Sequence, residues 1–159
     1  MAGPVLFLTD SEATEPAVSG AKGAALARMK QAGLPVPDAF ILPTEAFRAM
    51  VNTLPRQALN ALREGHSEAA QIAANALRDG VLSEPWLDAL RKAHTALGSR
   101  AVSARSSSTA EDRAEASFAG QYDTALNLVH LNGLIDGIGR VWASHFSSHA
   151  QAYRRRHRS

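Results

Sequence analysis

Ile135, Ile138, Trp142, Phe146, His149 and Tyr153 follow one another at intervals of three and four residues near the end of the chain. That spacing places all six on one face of a helix of about five turns. A helix with so long an apolar face needs a second layer to lie on. The strands available for that layer are short. Pro4 to Asp10 reads as a buried strand, and Ala39-Phe40-Ile41-Leu42 as another, bounded by Pro37 and Pro43. Arg100 to Arg105 and Gln121 to Leu128 read as two more. The expectation is an α+β fold: a short mixed sheet flanked by a helical segment and the long C-terminal helix.

The remaining segments read as helices. One should begin near Ser19 or Gly20, after a polar loop from Ser11 to Pro16, and run to Gly33. Leu26, Met29 and Ala32 recur along it at helical spacing, and Gly33 followed by Pro35 is a stop signal. Thr44 is a candidate N-cap for a helix holding Ala46, Phe47 and Met50. Pro55 to Leu97 reads as helical throughout, with one stripe of Ile72, Ala73, Ala76 and Leu77 and another of Leu87, Leu90, His94 and Leu97. Ser83 before Glu84-Pro85 suits a helix start, with proline in the first turn. One domain over 1–159 is expected, in three parts: 1–54, a helical scaffold over 55–98, and 99–159.

With 159 residues, 45% of them hydrophobic, the chain can bury a core of its own. Its net charge of +2 is unevenly placed. Arg154, Arg155, Arg156 and Arg158 lie in the last nine positions, where there is no acid, and the preceding 150 residues are slightly acidic. Those arginines suit the negative end of a helix dipole, and no aromatic platform accompanies them, so no nucleic-acid partner is expected. The absence of cysteine removes disulfides, thiolate metal sites and cysteine nucleophiles. Val5-Leu6-Phe7-Leu8 is too short for a signal-peptide core or a membrane span, so a cytoplasmic protein without a membrane partner is expected.

Two segments could carry chemistry. Gly20-Ala21-Lys22-Gly23 stands at an expected helix start, where small residues admit a ligand to the backbone and exposed N–H groups favour an anion. A glycine turn with a solvated lysine would look the same. The spacing is not that of a P-loop, and the first two glycines of a dinucleotide fingerprint are missing. The second segment is Arg105-Ser106-Ser107-Ser108-Thr109-Ala110-Glu111-Asp112, continued by Ser117-Phe118-Ala119-Gly120-Gln121. An arginine at a strand end followed by hydroxyl residues suits an oxyanion, and equally a serine-rich loop.

Taken in order, the motifs are more specific than either segment. Gly20-Ala21-Lys22-Gly23-Ala24-Ala25-Leu26, Ala32-Gly33-Leu34-Pro35-Val36-Pro37, Phe40 and Thr44-Glu45-Ala46-Phe47-Arg48 resemble the opening of the pyruvate phosphate dikinase and phosphoenolpyruvate synthase family. Arg105-Ser106-Ser107, Ala110-Glu111-Asp112 and Ala116-Ser117-Phe118-Ala119-Gly120-Gln121 look like its second signature. Val141-Trp142-Ala143-Ser144 with Tyr153-Arg154-Arg155 resembles a third. Rifampicin phosphotransferases share this domain.

The resemblance implies the N-terminal portion of an ATP-grasp nucleotide-binding domain. Its ATP-binding residues would be Lys22, Arg105, Gly120 and Thr124, with Ser107, Ser108 and Thr109 as further phosphate-loop contacts. It implies ATP and magnesium as ligands, and a phosphoryl group delivered to a histidine on another domain. The magnesium ligands would come mainly from a second lobe beyond this sequence. None of the six histidines has the context of that phosphorylated residue, and neither a catalytic residue nor a metal ligand is assigned here. Ala21 and Ala25 stand where the family commonly has glycine and asparagine. With the second lobe and the histidine-bearing domain outside this sequence, the chain by itself is expected to bind ATP weakly and not to turn it over. The alternative is a free-standing, non-catalytic module that docks a separately encoded partner lobe.

Overall fold

Backbone punctuation shapes the N-terminal half. The computed structural model describes residues 3–64, 71–72, 75, 85–107 and 124–156. Strand β1 (Leu6–Phe7) leads through a 3-10 turn (Ser11–Thr14) into α1 (Pro16–Gln31), then β2 (Phe40–Ile41) and α2 (Thr44–Thr53). The stretch expected to be a polar loop is that 3-10 turn, and α1 opens earlier than expected because Pro16 takes its first position. Gly33, at φ 80°, ends the helix as its sequence predicts. Its N–H donates to the Lys30 carbonyl and that of Leu34 to the Met29 carbonyl, each at 3.0 Å, the paired closure of a left-handed C-terminal cap.

Of the residues at helical spacing along α1, Leu26 packs half-buried against the small core while Met29 and Ala32 are exposed; the fully buried positions are Ser19, Gly20, Gly23, Ala24 and Ala27. Small side chains let the helix backbone lie close to what it packs on. Ala27 joins Leu6, Leu8, Ala13 and Ile41 in one small core.

Next come α3 (Arg56–Glu64), α4 (Trp86–Ala96), β3 (Val102–Arg105), β4 (Thr124–Leu128) and α5 (Leu131–Arg156). Pro85 caps α4 rather than lying inside it. Ser83, Ala73, Ala76 and Leu77 lie outside the described residues. His94 is buried and its Nε2 sits 3.0 Å from the Arg100 carbonyl oxygen, so it holds the turn after α4 as part of the packing. Thr44 opens α2 but does not cap it. Its hydroxyl donates instead to the Ala17 carbonyl at 2.8 Å and ties α2 to the start of α1.

In place of one mixed sheet, the described residues form two antiparallel pairs, β1 with β2 and β3 with β4. The strands alternate cleanly enough to serve two cores. Ile41 packs into the small core, while its neighbour Phe40 packs against the larger one. That larger core gathers Ala46, Trp86, Leu90, Ala125 and Leu128 around the α5 residues Leu134, Ile135, Ile138 and Val141. Trp142 meets Phe47 edge to face at 5.4 Å. The long helix is thus confirmed; it runs through Phe146, His149 and Tyr153, whose side chains lie outside the described part.

A bulge sets the inner face of β4. Val102 pairs with Leu128 but Ala104 with Ala125, so one extra residue enters β4 at this point. Asn127 takes φ 57°, a left-handed conformation asparagine tolerates better than most residues. Both Ala125 and Leu128 therefore reach the core. Gly137 lets α5 approach, since a Cβ there would stand 2.5 Å from Leu128 Cδ1.

Truncation of Leu90, 1% exposed, should expose the weight of this core. Leu90→Ala is expected to cost about 2–5 kcal/mol of unfolding free energy. Leu126→Ala, at a side chain 68% exposed, should stay within about 0.5 kcal/mol of wild type in the same urea titration.

Candidate functional site

Helix α1 is broken four residues in. Gly20 has φ 69° and ψ 171°, a backbone region open almost only to glycine. The helix restarts at Ala21, with Lys22 exposed in its first turn. The positive φ thus falls on Gly20 and leaves residue 21 helical, so the methyl of Ala21 carries no backbone strain.

Gly20 lies against Ser107. A Cβ built on Gly20 would stand 1.9 Å from the Ser107 carbonyl oxygen and 2.4 Å from its Oγ. The Ser107 hydroxyl donates to the Ser19 carbonyl at 2.7 Å and accepts from the Gly23 N–H at 2.8 Å. Gly23 is also closely packed: a Cβ there would meet Ser19 Cβ at 3.2 Å and Ile41 Cδ1 at 3.3 Å. The lysine-bearing segment and the arginine-bearing segment, separated by more than eighty residues in sequence, meet at this bridge.

Arg105 ends β3, and its position follows from strand alternation. Val102 and Ala104 pack on the larger core, which turns Ser103 and Arg105 outward. Arg105 pairs in register with Thr124, also exposed, so the two side chains share one face of the hairpin. Lys22 and Arg105 are each within two residues of an end of the Ser107 bridge.

Of the residues nominated from sequence, Lys22, Arg105, Thr124 and Ser107 come together in this region. Gly120, Ser108 and Thr109 lie outside the described residues. The serine run does not behave uniformly. Ser106 Oγ and Ser19 Oγ are buried without a hydrogen-bond partner, while Ser107 Oγ is bound on both sides. The part of Gly20 was not read from sequence; its signal was a glycine two positions before the lysine of a helix start.

A second feature lies elsewhere. An open groove of about 520 Å³ runs between the end of β4 and the start of α5, lined by Leu126, Asn127, His130, Asn132, Asp136 and Arg140 among others. It sits towards the end of β4 away from Thr124 and takes no residue from the bridge. Among the described residues there is no group of three or more His, Asp or Glu that could hold a metal ion. Among them, too, no helix is long and apolar enough to cross a membrane.

Residues 17–159 match the domain described as pyruvate phosphate dikinase, AMP/ATP-binding domain, and the chain belongs to that family. It is similar to a rifampicin phosphotransferase of a Streptomyces species, 37% identical over an alignment of 163 positions that covers 96% of this chain and 19% of that protein. It is also similar to an uncharacterized phosphotransferase of Bacillus subtilis, at 33% identity over 96% of this chain and 17% of the relative. A probable phosphoenolpyruvate synthase of Archaeoglobus fulgidus is 31% identical over 95% of this chain and 22% of its own length. The chain thus spans about a fifth of these relatives.

The contact at Gly20 predicts a contrast between neighbours. Gly20→Ala should destabilise the fold by about 2 kcal/mol or more, since backbone strain of about 1–3 kcal/mol adds to a collision with a carbonyl oxygen. Ala21→Gly should cost about 1 kcal/mol, the helix-propensity difference alone. Denaturant midpoints of both variants check this.

Proposed function

We propose that this chain is the part of an ATP-binding domain that holds the nucleotide phosphates between Lys22 and Arg105, with Thr124 beside the arginine. The observation that carries the reading is the Ser107 bridge, which joins a lysine at a broken helix start to an arginine at a strand end. Catalysis of phosphoryl transfer consists largely of positioning and charge stabilisation, and these two cations suit it in different ways. The guanidinium of Arg105 can give two parallel hydrogen bonds to one phosphate, whereas the ammonium of Lys22 is a mobile point charge. Gly120 would line the nucleotide pocket, and Ser108 and Thr109 would face phosphate from the loop after Arg105.

In this reading the domain serves a phosphotransferase of the phosphoenolpyruvate synthase or rifampicin phosphotransferase kind. The phosphoryl group passes from ATP to a histidine on a part of the enzyme outside these residues. Magnesium would accompany the ATP, with its protein ligands supplied from the second lobe of the ATP-grasp domain. The 159-residue chain then binds ATP and does not consume it. Phosphate release or phosphohistidine formed by this chain alone would contradict that assignment.

Lys22 and Arg105 are exposed, so their removal should alter binding far more than folding. Lys22→Ala and Arg105→Ala are each expected to weaken ATP binding by about 10- to 100-fold, the size of one lost charge-assisted hydrogen bond of about 1.5–3 kcal/mol. Isothermal titration with ATP and magnesium, beside unfolding curves that stay within about 0.5 kcal/mol of wild type, measures both quantities.

A further inference from the structure

We infer that Ser107 is a positioning residue: its hydroxyl sets the spacing of Lys22 and Arg105 by tying their two segments together, and it does not itself contact phosphate. This rests on the reading of those two cations as ATP ligands.

The first support is the donor count. A serine hydroxyl has one proton. In Ser107 that proton goes to the Ser19 carbonyl at 2.7 Å, and the Gly23 N–H occupies one lone pair at 2.8 Å. What Oγ has left is a lone pair, which repels a phosphate oxygen.

The second is the place where the bridge lands. With the helix restarting at Ala21, Gly20 stands at the cap position and Gly23 is the third residue of the new helix. A capping side chain ordinarily accepts from the N–H of the second or third helical residue. Gly20 has no side chain to do so, and Ser107 supplies the missing oxygen from another part of the chain. The cap and the long-range contact are one and the same bond, so the helix start that carries Lys22 is coupled to the strand end that carries Arg105.

The third is steric. Gly20 leaves no room for a Cβ on the side facing Ser107, where it would stand 2.4 Å from Oγ, whereas a Cβ on Gly23 would crowd Ser19 and Ile41 and only touch Ser107 Oγ, at 3.4 Å. Gly20 admits the serine, and the closeness it permits sets the separation of the backbones.

The test is a double-mutant cycle on the 159-residue chain with Ser107→Ala and Lys22→Ala, read by ATP titration in magnesium. Amide exchange at Gly23 without nucleotide supplies a second readout. Loss of the bridge should speed Gly23 exchange by about 5- to 100-fold, the equivalent of a hydrogen bond left unmade in a partly buried site. Ser107→Ala should weaken ATP binding by about fivefold or more with Lys22 present and by less than about twofold without it, because the hydroxyl acts through the placement of the lysine. Ser107→Cys places a larger atom there that is a weaker donor and acceptor, and should give the same signs where alanine lowers the folded fraction. Equal losses of affinity in both backgrounds would mean direct phosphate contact and overturn the inference. Unchanged Gly23 exchange would overturn it at the bridge itself. Absence of ATP binding by the wild-type chain, with Gly23 still protected by Ser107, would instead remove the ATP reading and with it any role of the bridge in spacing nucleotide ligands.

Discussion

A helix start leaves N–H groups that need acceptors, and the usual source is the residue just before the helix. At the restart of α1 that residue is Gly20, whose φ of 69° excludes almost every side chain that could serve. The Ser107 hydroxyl takes over the task from beyond the end of β3. A local requirement of one helix is thereby met by a residue more than eighty positions away. That exchange pins the restart of α1 to the end of β3. Removal of either partner leaves polar backbone groups unmade, which costs about 1–3 kcal/mol where water cannot replace them.

The two cores explain how so small a contact can hold its geometry. Around α1, small residues bring the helix down onto β1 and β2, and Ala27 and Ile41 share one cluster. Across β2, Phe40 faces the second cluster, built on α5. One two-residue strand therefore belongs to both. The hairpin is held to α5 through Ala125 and Leu128, which the bulge at Asn127 turns inward together. Arg105 and Thr124 are exposed because their neighbours are anchored.

Much of this was legible in the residues, and what escaped did so for identifiable reasons. The 3–4 spacing from Ile135 onward marked α5, and Gly33 with Pro35 marked the end of α1, because periodicity and punctuation are local signals. The sheet was not legible in the same way. Strands as short as Leu6–Phe7 and Phe40–Ile41 carry no information about partner or direction, and the expected mixed sheet is instead two antiparallel pairs. The most buried side of α1 was not legible either, since glycine and alanine give no hydrophobic signal even where they pack most closely. Lys22 and Arg105 were nominated by residue type and by family order. Nothing in Ser106-Ser107-Ser108-Thr109 distinguishes the hydroxyl that turns in to cap a helix from those that do not. That choice depends on Gly20, whose missing Cβ admits Ser107.

On the proposed reading, nucleotide and hydroxyl act on the same contact. ATP held by both Lys22 and Arg105 would span the junction that Ser107 closes, so binding energy would be gained only when the two segments are correctly spaced. Any ligand that binds the joined form better than the separated one stabilises it by mass action. The bridge therefore need not be strong to matter. Its part is to keep the joined form populated before the ligand arrives, so that less of the phosphate interaction is lost to ordering the two segments. A half-buried serine suits that purpose because its hydroxyl is uncharged and joins the segments through backbone groups, so the bridge itself uses neither cation.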